Sequence, residues 1–281
     1  MKENIFDWKE YRIWGKGFGD FLKSISLPNF KTKLKENRDE IYCDWAGPLE
    51  ELIHDEYDSG FYDSEFCEYF TNTYSHILTY HGCRASDIQN YYRNGLLTLN
   101  ASIQNRNFKK LFCNGHFNEI SKDDIDYAID AMGKENRENR LFLGLDDRTL
   151  IGRAGHYLIY GSEYITGLVA RLSERLKKDY RTYLRNIGEP TIFKVKLPIS
   201  ATKNADIINL FPHLFEMWVY NKVKRKSISI ALDYSIILRK KIPSEYIIGH
   251  YHPDEIRDPL NKSQIYIAKT NSYRLDDLSI E

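Results

Sequence analysis

The run Tyr80-His81-Gly82-Cys83-Arg84, followed by Ser86 to Arg93 and then Asn94-Gly95-Leu96, concentrates residue types able to handle a nucleotide. Gly82 has no side chain, so its backbone N–H and C=O can meet a planar amide edge-on. His81 beside it can hydrogen-bond a ribose hydroxyl, and the Arg84 guanidinium can take a phosphate bidentately. Cys83 next to His81 also suggests a thiol nucleophile, although no third residue is placed to orient such a pair.

Positioning these groups requires a strand, an elbow and a short helix. Ser75 to Tyr80 mixes polar with β-branched and aromatic residues in rough alternation, which predicts a strand. Ser86 is expected to cap a helix over Asp87 to Arg93, stopped at Asn94-Gly95. A second capped helix is expected after Ser121, with Asp124 completing a capping box and Ile125, Ala128, Ile129 and Met132 forming its apolar stripe. Gly155 to Gly161 reads as a strand closing on a glycine. A long helix capped by Ser162 would follow, to about Asn186, with Glu163 in its first turn favouring the helix dipole. Strands are then expected over Thr191–Leu197, Ser227–Ile230, Tyr234–Leu238, Tyr246–Ile248 and Gln264–Ala268. The pattern predicts an α+β fold: a mixed, mainly antiparallel sheet with flanking helices over 76–281, preceded by an N-terminal helical accessory region over 1–75. In that leader Trp8, Tyr11, Ile13 and Trp14, then Leu49, Leu52 and Ile53, suggest helical pieces, with Gly15 to Gly19 and Gly47-Pro48 as breaks.

These segments resemble the ADP-ribosyltransferases of the histidine–tyrosine–glutamate type. That family opens with an HGT-like strand, a short helix and an NGL sequence, here His81-Gly82-Cys83 and Asn94-Gly95-Leu96, with Cys83 in place of threonine. The resemblance implies that the Gly82 backbone holds the nicotinamide amide of NAD, that His81 holds a ribose, and that the sheet is split. Gly155-His156-Tyr157-Leu158 with Ser162 matches the second motif, which would set Tyr157 against the nicotinamide ring and Tyr160 or Tyr164 on its other side. The reaction also needs a carboxylate at the nicotinamide ribose to stabilise an oxocarbenium-like transition state. Glu245, in Ile242-Pro243-Ser244-Glu245-Tyr246-Ile247, is the first choice; Asp233 and Glu163 are the alternatives. The implied activity is NAD-dependent transfer of ADP-ribose to a macromolecule, in a bacterial toxin or phage-defence setting that brings an antitoxin or regulatory protein as a partner. The rival readings are a catalytically inactive binding module on the same fold and an RNA 2′-phosphotransferase.

The composition sets the outer limits. A chain of 281 residues with 42% hydrophobic and 28% charged residues is ordinary for one large domain or two small ones. Lys plus Arg and Asp plus Glu balance at 40 each, but unevenly. Glu50 to Glu68 carries only acidic charges, whereas Lys222 to Lys226 and Arg239-Lys240-Lys241 are basic, which with nearby Tyr220 and Tyr234 suits an RNA or DNA acceptor. Four cysteines without CxxC spacing point away from a zinc scaffold and towards a reducing cytoplasm. No metal is expected: His250 and His252 could chelate from one strand face, yet lack a third close ligand. The N-terminus has no apolar core of a signal peptide and no stretch is apolar enough for a membrane span. Phosphate-loop, dinucleotide and nucleophile-elbow motifs are absent.

Overall fold

The computed structural model describes residues 3–25, 30, 32, 59–113, 115–133, 138–224 and 229–268. In chain order these form β1 (Ile5–Phe6), α1 (Tyr11–Ile25), α2 (Ser59–Thr73), β2 (His76–Ala85), α3 (Ile88–Asn94), α4 (Ala101–Phe112), α5 (Lys122–Met132), β3 (Leu141–Gly144), α6 (Asp147–Gly152), α7 (His156–Tyr160) and α8 (Glu163–Leu176). There follow α9 (Arg181–Leu184), β4 (Glu189–Pro198), α10 (Asn204–Ile208), α11 (Phe211–Lys224), β5 (Ser235–Leu238), β6 (Ile247–Tyr251), β7 (Glu255–Asp258) and β8 (Gln264–Ile267). They divide into two compact units, Met1–Thr79 with Lys196–Tyr234, and Tyr80–Val195 with Ser235–Glu281. The N-terminal region is therefore completed by residues 196–234, which the sequence pattern assigns to the second domain.

The first unit is an aromatic cluster. Phe18 packs edge-on against Phe66 and Phe211, and Phe6 edge-on against Phe70 and Tyr74. The buried Trp8 indole donates to the Ile230 carbonyl at 2.9 Å, so the polar edge of a large apolar group is satisfied. Of the breaks expected in the leader, Gly15, Gly17 and Gly19 lie inside α1 instead, and Gly47-Pro48 lies outside the described residues. A Cβ on Gly19 would come within 2.6 Å of the Trp218 indole nitrogen, so this glycine lets a helix and a large ring meet closely. The expected helical pieces at Leu49, Leu52 and Ile53, the acidic residues 50–58 and the basic residues 225–226 lie outside the described residues. Ser229 and Ile230, expected in a strand, belong to none.

The second unit is built on a mainly antiparallel sheet in the order β5-β3-β2-β4-β6, with β7 and β8 as a separate hairpin. Tyr80 to Ala85 of β2 thus run through its middle. The β3–β5 ladder is continuous from Leu141↔Leu238 to Gly144↔Ser235, whereas β2 meets β3 in register only at Tyr80↔Gly144. Helix α5 packs on α8. Its predicted capping box is present, with Asp124 accepting from the Ser121 amide and hydroxyl and from Arg175. Those bonds, led by Ser121, hold the Asp124 carboxyl at a pKa of about 2. Short helix α3 ends at Gly95, whose φ of +79° is one that side chains resist. An added Cβ there would lie 2.0 Å from the Ile242 carbonyl oxygen, so the glycine is needed for close approach as well as for the turn.

One segment departs from its expected form: Gly155 to Gly161 is not a strand but the single-turn helix α7. The run His-Tyr-Leu-Ile-Tyr places Leu158, Ile159 and Tyr160 in the core together, which a turn of helix achieves and a two-sided strand would not. The long helix after Ser162 stops at Leu176, where Lys177 takes a left-handed conformation, and α9 is a separate turn.

Two stability outcomes follow. Gly95→Ala is expected to destabilise the protein by about 2 kcal/mol or more through clash and backbone strain, read as a lower urea midpoint with an unchanged slope. Because the folded Asp124 pKa is depressed, its contribution is present above the unfolded value of roughly 4 and fades as pH falls towards 2. The acid-side loss of urea stability should therefore be shallower in Asp124→Asn than in the wild type.

Candidate functional site

The central strand β2 carries an opening. His81, Gly82, Cys83 and Arg84 are all half-buried although they lie in the middle of the sheet, at the point where β2 and β3 stop pairing in register. Successive strand residues point to opposite faces, and the neighbours of each side chain identify those faces.

Gly82 and Arg84 face the α6–α7 side. A Cβ on Gly82 would meet Leu158 at 3.2 Å and Leu150 at 3.4 Å, so the missing side chain admits these two leucines. Arg84, expected at a phosphate, is committed elsewhere. Its Nε donates to the Ile187 carbonyl at 2.6 Å, Nη1 to the carbonyls of Leu158 and Ile159 at 3.2 Å each, and Nη2 to those of Arg185 at 2.8 Å and Gly188 at 2.5 Å. Five carbonyls thus take up the donors of a guanidinium that has five N–H groups. Arg84 staples β2 to the end of α7 and to the loop after α9, where the backbone would otherwise leave carbonyls unsatisfied.

Tyr157 and Tyr160 lie on this same side. Tyr157 lies against His156, ring centroids 4.2 Å apart, and His156 Nε2 stands 3.5 Å from Glu163 Oε1. Tyr160 is buried, and its hydroxyl donates to Asp258 Oδ2 at 2.5 Å while accepting from Arg185 Nη2 at 2.6 Å.

His81 and Cys83 face the other way, towards α3. The Cys83 thiol donates to the Tyr91 hydroxyl at 3.6 Å, and Tyr91 packs on Phe193 of β4 with centroids 4.5 Å apart. Phe193 is the register partner of His250 on β6, and the Tyr92 hydroxyl lies 2.7 Å from His250 Nδ1. This face therefore gathers Cys83, Phe193 and His250 against Tyr91 and Tyr92, with His81 on the same side of the pleat. Burial pushes the Cys83 thiol up to about 12, which keeps it protonated and unsuited to the nucleophile role. Burial lowers His81, so the ring is neutral at pH 7. Its Nδ1 lies 3.0 Å from the Phe142 carbonyl, an oxygen that can only accept; Nδ1 therefore carries the proton and Nε2 keeps the lone pair.

The three candidate carboxylates are dispersed. Glu245 is exposed on a 3-10 turn (Ser244–Tyr246) that precedes β6 and packs beside α3, on the margin of the His81 side. Glu163 belongs to the Tyr157 side. Asp233 is exposed in the first unit. The sheet thus separates His81 from Tyr157, which the family resemblance places in one pocket. Sequence reasoning missed Tyr91, Tyr92 and Phe193, whose signal was an adjacent tyrosine pair on the helix directly after the glycine strand. His250 and His252 stand 5.4 Å apart, but among the described residues no group of three His, Cys, Asp or Glu side chains is placed to hold a metal. No described helix is long and apolar enough to cross a membrane. No protein-family model, curated protein or solved structure matches this chain.

Replacing Arg84 separates its two roles. Arg84→Lys supplies at most three donors in another geometry, and is expected to cost about 2–4 kcal/mol of unfolding stability. A residue whose task was to hold a phosphate would leave the urea midpoint unchanged.

Proposed function

We propose that the protein binds NAD on the His81 side of β2 and transfers ADP-ribose from it to a macromolecular acceptor, with RNA or DNA favoured. The observation that carries this reading is the state of His81: half-open in mid-sheet, neutral, with Nδ1 tied to the Phe142 carbonyl and Nε2 left as an acceptor for a ribose hydroxyl. The rings of Tyr91, Tyr92 and His250 offer flat apolar surface for the nicotinamide, a part first expected of Tyr157. Opening of the sheet after Tyr80↔Gly144 agrees with the split sheet of the ADP-ribosyltransferase-like fold.

In the reaction the bond between the nicotinamide nitrogen and the ribose carbon breaks, and its electron pair leaves with neutral nicotinamide. The acceptor's oxygen or nitrogen forms a new bond to that carbon and loses its proton to a base. Glu245 is the carboxylate assigned to the ribose and its developing charge, since it borders the face that carries His81. Arg239, Lys240 and Lys241 are exposed in the turn between β5 and the Glu245 segment, where they would hold phosphates of a nucleic acid. The toxin or phage-defence setting and a regulatory protein partner rest on the family resemblance alone.

The test is incubation with NAD labelled in the adenylate moiety and separate pools of RNA, DNA and protein. Label is expected in the nucleic-acid pool, with loss of about 100-fold or more in Glu245→Gln. In His81→Ala the affinity for NAD should fall about 10-fold, the loss of one hydrogen bond to a neutral group. Transfer that survives both changes overturns the site, and absence of NAD binding overturns the function in favour of a non-catalytic binding module.

A further inference from the structure

A cavity of about 370 Å³ lies in the second unit, away from the His81 face, between the end of α9 and the β7–β8 hairpin. Its walls include Thr182, Arg185, Asn186, Asn261, Gln264 and Tyr266. Arg185 and Asp258 are the charged residues of its lining. Nη2 donates to Asp258 Oδ2 at 2.9 Å and to the Tyr160 hydroxyl at 2.6 Å, and the guanidinium carbon lies 5.2 Å from the Tyr160 ring centroid and 5.6 Å from that of Tyr266. Arg185 Nε, by contrast, is buried and has no acceptor among the described residues. A buried donor left without a partner is costly, and an acceptor brought to the guanidinium would relieve it.

The surrounding chemistry selects the class of ligand. Asp258 is almost wholly buried and already neutralises Arg185, with its second oxygen accepting from the Leu260 amide at 3.0 Å. An oxyanion would therefore have to approach a carboxylate without a free positive charge to offset it. Asn186, Asn261 and Gln264 instead provide amides, each of which both donates and accepts, and Asn261 Nδ2 already donates to Gln264 Oε1 at 3.0 Å. The Tyr266 ring adds a flat apolar wall. The volume is at the small end of ligand sites, too small to bury a whole dinucleotide. We propose that this cavity is a second binding site, for an uncharged heterocycle of nucleoside size, whose ring acceptor meets Arg185 Nε and whose mixed donor–acceptor edge meets the Asn261 and Gln264 amides. The site does not depend on the NAD reading, since it shares no residue with the His81 face.

The full-length protein is titrated calorimetrically with adenosine, guanosine, cytidine and uridine, with inorganic phosphate and glucose as controls. At least one nucleoside is expected to bind at micromolar to millimolar concentration. Asn261→Ala and Gln264→Ala, both at the exposed hairpin, should each weaken that nucleoside about five-fold, the worth of one hydrogen bond, with an unaltered urea midpoint. His81→Ala should leave the affinity unchanged. Arg185→Gln should abolish binding; because it also disrupts the contact to Asp258, the two hairpin variants decide the matter if it fails to fold. Absence of nucleoside binding, or binding indifferent to Asn261→Ala and Gln264→Ala, overturns the proposal. Arg185-dependent binding of phosphate in place of nucleosides would make the cavity an oxyanion site and overturn the ligand assignment.

Discussion

The second unit depends on one half-buried cation. Arg84 projects from the end of the central strand into five backbone carbonyls, two at the end of α7 and three in the segment from Arg185 to Gly188. The carbonyls of Leu158, Ile159 and Arg185 lie at the ends of short helices, which cannot satisfy their last C=O groups internally, and those of Ile187 and Gly188 lie in the loop that follows. A planar guanidinium supplies that deficit in one step and fixes three chain segments against each other. The positions of Tyr160 and Arg185, and hence the cavity beside them, follow from this attachment.

The pleat of β2 divides the chemistry. Tyr80, Gly82 and Arg84 look towards one layer, where the Tyr251 hydroxyl donates to Asp147 and Leu158 fills the space that Gly82 leaves. His81 and Cys83 look towards α3, into a cluster of tyrosine, phenylalanine and histidine rings. Residues adjacent in sequence thereby serve different layers: one is structural, the other partly open. Burial acts differently on the two open-side groups. It suppresses the thiolate of Cys83 while leaving His81 a neutral acceptor, so the imidazole is the group there with free hydrogen-bonding capacity at neutral pH.

Close approach through glycine recurs in both units for unrelated purposes. Gly19 admits the Trp218 ring, Gly95 admits the Ile242 carbonyl, and Gly82 admits two leucines. The glycine beside His81 thus has a packing reason that holds whether or not a ligand meets its backbone. In the same way Glu163, beside His156 in the first turn of α8, combines a favourable helix-dipole position with a local ion-pair geometry.

The sequence by itself determined the local elements whose signals are short-range. The Ser121–Asp124 capping box, the stop at Gly95, the strand entering His81 and the strands at Thr191–Leu197, Tyr234–Leu238 and Gln264–Ala268 are legible because caps, glycine turns and alternation act within a few residues. So was the mixed, mainly antiparallel class of the fold. The strand expected at Gly155–Gly161 is a helix, because a single helical turn buried on one side and a short strand closing on a glycine share the same apolar residues. Only the tertiary structure decided which side chains meet. It paired 196–234 with the N-terminal region, gave Arg84 to backbone carbonyls rather than to a ligand, and put Tyr157 across the sheet from His81. Those outcomes turn on contacts between residues a hundred or so positions apart, and on which face of a pleated strand each neighbour covers. Spacing along the chain carries neither.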